Sequence, residues 1–450
     1  MQSRYLSGLA VALATFALAT AISLSQWRTL AAPSWDLGIF TQLADAYAHL
    51  REPIVPIKGD GYNLLGDHFH PILVLLAPFY RLAPSGLTLL IVQNALFALA
   101  AGAFATRLAR LIPLWAATCL GAILGLGWAT QTAVAAQFHE IAFAVPLLAF
   151  ALTAYLADRP VAAAAWMAPL VFVKEDLGLT VAALGVIMLV RSFRSPGAMR
   201  RAGIFLIGWG AVWFLLTITV LLPALNPHGQ YDYTGRLDET GSILAPATKW
   251  LLLAFLILTA GIIGAASPLI LLILPTLAWR FAGNVEFYWW IGWHYDVILM
   301  PILLAALVDA ARRLGPRYRD VRTDAPVTTQ LLAAGIALSI SSTVIVGATL
   351  PIFANRTVEP ARLTTAQQIE ELVSGDVVSD LTLMARLVPH ARVYWVAERD
   401  ISPNFVVIDQ RSSEFSRSIA DVAAWAEQTY GGSYRVVLSD NGFQVAERAH

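Results

Sequence analysis

The chain has 450 residues, of which 58% are hydrophobic and 13% charged, with 30 basic and 30 acidic side chains. A soluble domain carries roughly 25% charged residues, so this chain has too little charge to coat a globular surface and lipid must cover much of it. The zero net charge gives nothing for nucleic acid to bind, and the single Cys119 excludes an internal disulfide.

The first apolar run, residues 6–24, follows Arg4 and exceeds the roughly 7–15 residues of a signal-peptide core. It is read as a retained first helix. A long outer loop, about 31–70, follows. Within it Gly38 to Leu50 has helical spacing and predicts an interfacial helix. Residues 71–83 are too short to span and predict a re-entrant or surface helix. Further spans are expected at 87–106, 112–130, 141–157, 202–223, 250–265, 268–281, 291–310 and 329–350.

The run 161–190 holds Lys174-Glu175-Asp176 at its middle. One continuous helix would bury three charges at the bilayer centre, at high cost. Two half-length arms instead form a hairpin with the triad at its tip. The positive-inside rule supports this parity. With the N-terminus cytoplasmic, Arg107, Arg110, Arg159, Arg191, Arg194, Arg200, Arg201 and the group Arg312, Arg313, Arg317, Arg319 and Arg322 all face the cytoplasm. The count is about 11 membrane helices, short and re-entrant ones included. Residues 1–350 form the polytopic membrane domain, and 351–450 form a small soluble extracytoplasmic α/β domain. In the latter, strand-like runs at 392–397, 405–408 and 434–438 alternate with charged helices at 364–374 and 418–430. Asp440-Asn441-Gly442 predicts a hairpin turn before Phe443 to Val445.

This topology gathers the polar clusters on the extracytoplasmic side. Asp36 is wedged among Trp35, Leu37, Ile39 and Phe40. A carboxylate there suits a general base that takes a proton from an acceptor hydroxyl; it also suits a helix N-cap. Asp67, His68 and His70 precede Pro71 and suit a divalent cation or a phosphate at a helix N-terminus, or a polar turn. Metal use stays open, and no cofactor is otherwise implied. His139 and Glu140 open an apolar helix, where Glu140 also compensates the helix dipole. Lys174, Glu175 and Asp176 are ionisable groups in a membrane hairpin, with the lysine placed to neutralise a phosphate leaving group, or a self-neutralising turn. His294, Tyr295 and Asp296 follow Trp289, Trp290 and Trp293, which suit sugar stacking or an aromatic belt. The loop Asn226 to Thr240, with His228, Tyr231, Tyr233 and Arg236, suits a plain surface loop more than a specific binding loop that covers the site. No nucleotide-binding, HExxH or CxxC motif is present.

Asp36-Leu37-Gly38-Ile39-Phe40 with Gln42, His68-Phe69-x-Pro71, Gln93, Phe138-His139-Glu140, Lys174-Glu175-Asp176, His294-Tyr295-Asp296, Val388-Pro389-His390 and Phe405 to Asp409 together resemble the DUF2079 family of polytopic membrane proteins. That family in turn looks like the GT-C superfamily of membrane glycosyltransferases. The resemblance implies a sugar carried on polyprenyl phosphate, transferred on the outer face of the cell membrane to a cell-envelope glycan, lipid or protein. Asp36 would match the base and Lys174 a phosphate contact. The chain departs from the superfamily in lacking an acid-x-acid pair after the first helix. The expected function is therefore a GT-C glycosyltransferase. Its rivals are a transporter or lipid-handling protein, for which charged broken helices are also a signature, and a non-catalytic sensor or assembly factor.

Overall fold

A computed structural model describes residues 2–193, 197–229, 245–283, 285–315, 327–350, 357–412 and 417–449. Five helices among these are long and apolar enough to cross a membrane: Gln2–Arg28, Gly86–Leu108, Leu114–Ala135, Ala198–Leu225 and Val327–Thr349. Shorter apolar helices fill in between them, at Pro71–Leu82, Glu140–Leu156, Pro160–Phe172, Leu177–Ser192, Thr248–Thr259 and Pro268–Ala282. The first helix lies along Gly86–Leu108 in backbone contact, since a side-chain carbon on Gly102 would stand 2.6 Å from the Gly8 carbonyl. Small residues at such crossings replace the hydrophobic drive that lipid cannot supply.

The run 161–190 is two arms. Residues 160–172 end in a 3-10 turn, Lys174-Glu175-Asp176 follow, and Leu177–Ser192 returns. Thirteen residues in the first arm reach about 20 Å, too short to cross, so the charges stop within the protein. The expected span 291–310 differs. Its helix begins only at Met300, and residues 293–299 are irregular apart from one 3-10 turn at His294–Asp296. Pro301 sits in the first helical turn, the place where its missing N–H costs nothing. That leaves the aromatic segment before it free to line a site. The helix expected from Gly38 to Leu50 runs Asp36–Ala48, and ten of its thirteen residues are buried against the rest of the protein, so it is a packed helix and not one lying free on a surface. Of the residues named in the loop Asn226 to Thr240, only His228 is described; Tyr231, Tyr233 and Arg236 lie outside the described residues, as do Arg194, Arg317, Arg319 and Arg322.

The small C-terminal sheet domain has five strands: β1 (Asp376–Ser379), β2 (Arg392–Trp395), β3 (Phe405–Asp409), β4 (Tyr434–Asp440) and β5 (Phe443–Arg448), in the order β2-β1-β3-β5-β4. β1 runs parallel to β2 and β3, with Val378 opposite Tyr394 and Val406. β5 runs antiparallel to β3 and β4, the latter through the Asn441-Gly442 turn. Strand β1 and the helix Leu381–Leu387 were not expected. That helix packs on Asp36–Ala48, and a side-chain carbon on Gly38 would come within 2.6 Å of Met384. The Gln42 amide donates to the Val393 carbonyl at 2.7 Å and accepts from the Ile57 N–H at 3.1 Å. Trp35 meets Trp395 edge-on at 5.9 Å. The sheet domain is thus bolted to the back of the helix that begins at Asp36.

Candidate functional site

Asp36 opens its helix as the first helical residue. The capping position belongs to Trp35, which makes no side-chain capping bond, so Asp36 is not spent as an N-cap. Its carboxylate lies 3.5 Å from His139 Nε2 and keeps 28% exposure. Burial pushes that carboxyl up, but the His139 imidazole and the Ser34 hydroxyl outweigh it, and it stays below the ordinary aspartate range. His139 is held from behind. Its N–H bonds Gln93 Oε1 at 3.2 Å, and its ring stacks on His294 at 3.5 Å between centroids, 24° from parallel. Trp293 stands edge-on to His139 at 6.3 Å.

The next residue, Glu140, points to a different partner: its carboxylate accepts from Lys174 Nζ at 2.9 Å, both side chains being nearly sealed from solvent. Glu140 opens a 3-10 turn and His139 before it has extended backbone, so the two side chains leave on different sides. Glu175 takes His68 Nδ1 at 2.7 Å and the Phe69 N–H at 3.2 Å, tying the outer loop to the hairpin tip. Asp176 accepts from Trp279 Nε1 at 2.9 Å.

The Asp67, His68, His70 cluster splits. Asp67 pairs with Lys58 at 3.1 Å, His68 turns to Glu175, and His70 is buried edge-on to Phe40 at 5.9 Å. Among the described residues no group of three or more His, Cys, Asp or Glu is placed to hold a metal ion. Burial drives the His70 imidazole down to about 4. Burial and Lys174 also act against a charged His68, yet Glu175 and Asp67 prevail and hold it above the ordinary histidine value. For Asp67 burial is likewise outweighed, by His68 and Lys58, and its carboxyl sits low.

His294, Tyr295 and Asp296 divide as well. His294 backs His139; Asp296 bonds Arg280 at 2.7 Å in a pair with no exposure. Tyr295 lines a cavity of about 290 Å³ together with His68, Lys174, Glu175, Asp176, Trp279 and Tyr288. Leu179, Phe214, Ile218, Pro275 and Ala278 form its apolar wall. Leu179 in that wall is 37% exposed. The Lys174 ammonium stands 5.9 Å over the Trp279 ring. Chemically the site offers a carboxylate with an imidazole at one end and, two residues' reach away, an ammonium beside an apolar cavity.

Sequence reasoning missed Arg280, Trp279 and Lys58. Arg280 had a signal, a lone cation near the end of the apolar run 268–281. Lys58 had none, sitting in a polar loop.

The chain matches the sequence family described as predicted membrane protein, DUF2079, over residues 26–445. No curated protein sequence matches it. Among solved structures it resembles ArnT from Cupriavidus metallidurans bound to undecaprenyl phosphate, with a TM-score of 0.53 and 13% identity over 96% of this chain and 97% of that one.

Proposed function

The chain belongs to the DUF2079 family of predicted membrane proteins, and we propose that it is a GT-C-type glycosyltransferase using a sugar carried on polyprenyl phosphate. The single observation behind this reading is that consecutive residues, His139 and Glu140, contact Asp36 and Lys174 respectively. A proton acceptor and a cation are thereby each joined to one dipeptide, and in this reading the reacting groups lie between them. The ArnT-like fold is that of a protein crystallised with undecaprenyl phosphate, and the cavity sets the Lys174 ammonium and His68, with Glu175 and Asp176 beside them, against apolar walls, an arrangement that supports a lipid phosphate as occupant.

In this reading Asp36 takes the proton of an acceptor hydroxyl. The freed oxygen forms the new bond to the anomeric carbon as the bond from that carbon to the phosphate oxygen breaks. The bonding pair leaves on polyprenyl phosphate, whose added charge meets Lys174. Attack and departure on opposite sides invert the anomeric centre. His139 orients Asp36, Glu140 and Glu175 position Lys174 and His68, Asp176 and Tyr295 line the cavity wall, and His294 and Asp296 support it from behind through His139 and Arg280. The arginines at 107, 110, 159, 191, 200 and 201 support a cytoplasmic N-terminus. That puts the cleft and the sheet domain, residues 351–450, on the outer face of the cell membrane, where a cell-envelope acceptor is met.

The test is transfer of labelled sugar from polyprenyl-phosphate donors in vesicles holding the full chain. Asp36→Asn lowers the rate by about 10²–10⁴ while insertion and unfolding temperature hold. Lipid movement without any sugar transfer, unchanged by Asp36→Asn, would overturn the enzyme in favour of a transporter.

A further inference from the structure

The first helix is about 40 Å long at 1.5 Å per residue, and its C-terminal end leads into the Asp36 cleft. At its other end lies a feature the proposed reaction does not use. Tyr5 of this helix shares a groove with Arg107, in the last turn of Gly86–Leu108, and Arg110 just beyond it, and Arg4 stacks on Tyr5. Arg110 donates to the Tyr5 hydroxyl at 3.2 Å, and the Arg4 guanidinium lies 5.2 Å over the Tyr5 ring. Arg107 donates to Thr153 Oγ1 at 2.8 Å.

Among the described residues no carboxylate lies within ion-pair distance of these three arginines, whereas Arg191 and Arg313 each have an acid. The cluster opens onto a groove of about 340 Å³ between the two helices. The groove is apolar below the arginines and is flanked by Leu9 and Leu99, which are 55% and 50% exposed. A cationic rim over an apolar, sideways-open groove is the complement of a phosphodiester joined to an acyl chain. A free phosphate would leave the groove unfilled.

We propose that this groove binds one anionic phospholipid of the surrounding bilayer, in the leaflet opposite the Asp36 cleft. The headgroup phosphate sits on Arg107 and Arg110 with the Tyr5 hydroxyl, Arg4 adds charge, and an acyl chain runs between Leu9 and Leu99. Zwitterionic lipid fits less well because its own cation offsets the phosphate. This site stands whether or not the chain transfers sugar.

The experiment is native mass spectrometry of the detergent-purified full chain with equal phosphatidylglycerol and phosphatidylcholine. Expected is preferential retention of one phosphatidylglycerol, falling roughly fivefold per arginine removed in Arg107→Gln and Arg110→Gln. Arg110→Gln alone, at an exposed position, guards against misfolding of the double variant, and Arg110→Lys keeps most of the preference. Arg191→Gln leaves it intact. Equal retention of the two lipids, or a preference that survives Arg107→Gln/Arg110→Gln, overturns the proposal.

Discussion

Lys174 and Glu140 meet at 2.9 Å with almost no access to water, so neither can lose the other cheaply. Lys174→Met leaves a buried carboxylate alone and costs about 3–5 kcal/mol of stability. Glu140→Gln in the same chain recovers most of that, which thermal unfolding of the four variants in a mutant cycle measures. His68 and His70, two residues apart, have opposite responses to pH. An unfolded histidine titrates at about 6.5. His70, held at about 4 by burial, costs nothing above about 6.5 and destabilises the fold as pH falls from about 6.5 toward 4, because only the unfolded chain takes the proton. His68 is held above the ordinary value; its contribution is full below about 6.5 and is lost as pH rises through its folded value. His70→Gln should flatten the acid limb of the unfolding-temperature profile and His68→Gln the alkaline limb. Limbs unchanged by these variants would refute the assignment. The hairpin triad was legible because three charges at the middle of an apolar run are too costly at a bilayer centre and require a break in the helix. The partners were not: nothing local to Asp67, His68 and His70 says that one turns to Lys58, one to Glu175 and one to Phe40.

At the scale of elements, Gln42 joins three segments that are distant in sequence. Gln42→Ala removes bonds to Val393 and Ile57 and leaves two buried backbone groups unsatisfied, a loss of about 1–3 kcal/mol for each. Hydrogen exchange should accelerate across residues 36–48 and in β2; protection equal to the parent would show that the sheet domain holds the helix by packing alone. The helix Asp36–Ala48, the short arms and the Asn441-Gly442 hairpin could be read from periodicity and turn chemistry. Strand β1 could not: it has four residues between Gly375 and Asp380 and is too short for an alternation to register. The late start of the helix at Met300 was hidden because the aromatic segment before it is as apolar as a membrane span.

For the whole molecule, the expected orientation rests on arginine placement alone, since loop charge is a property of the chain and not of its packing. The cavity was beyond reach, because its walls come from the hairpin, the Ala198–Leu225 helix and the 268–296 region together. If the cavity takes a polyprenyl phosphate, undecaprenyl phosphate at a hundred times its dissociation constant stabilises the fold by about 2.7 kcal/mol. Ile218→Trp, which fills the apolar wall, abolishes that gain while sparing the unliganded protein; a shift that persists in Ile218→Trp would place the lipid elsewhere.

His139 and Glu140 occupy neighbouring positions on one peptide, and their Cα atoms are therefore about 3.8 Å apart whatever the helices around them do. The two partners they hold, Asp36 and Lys174, come from separate regions of the fold, yet their separation is gauged by that covalent unit. Breathing of the bundle can widen the entrance without detuning the interval between them. If the proposed reaction holds, a substrate that reaches both meets two groups whose spacing is set in part by one dipeptide, and length at the reacting centre becomes a basis for selection.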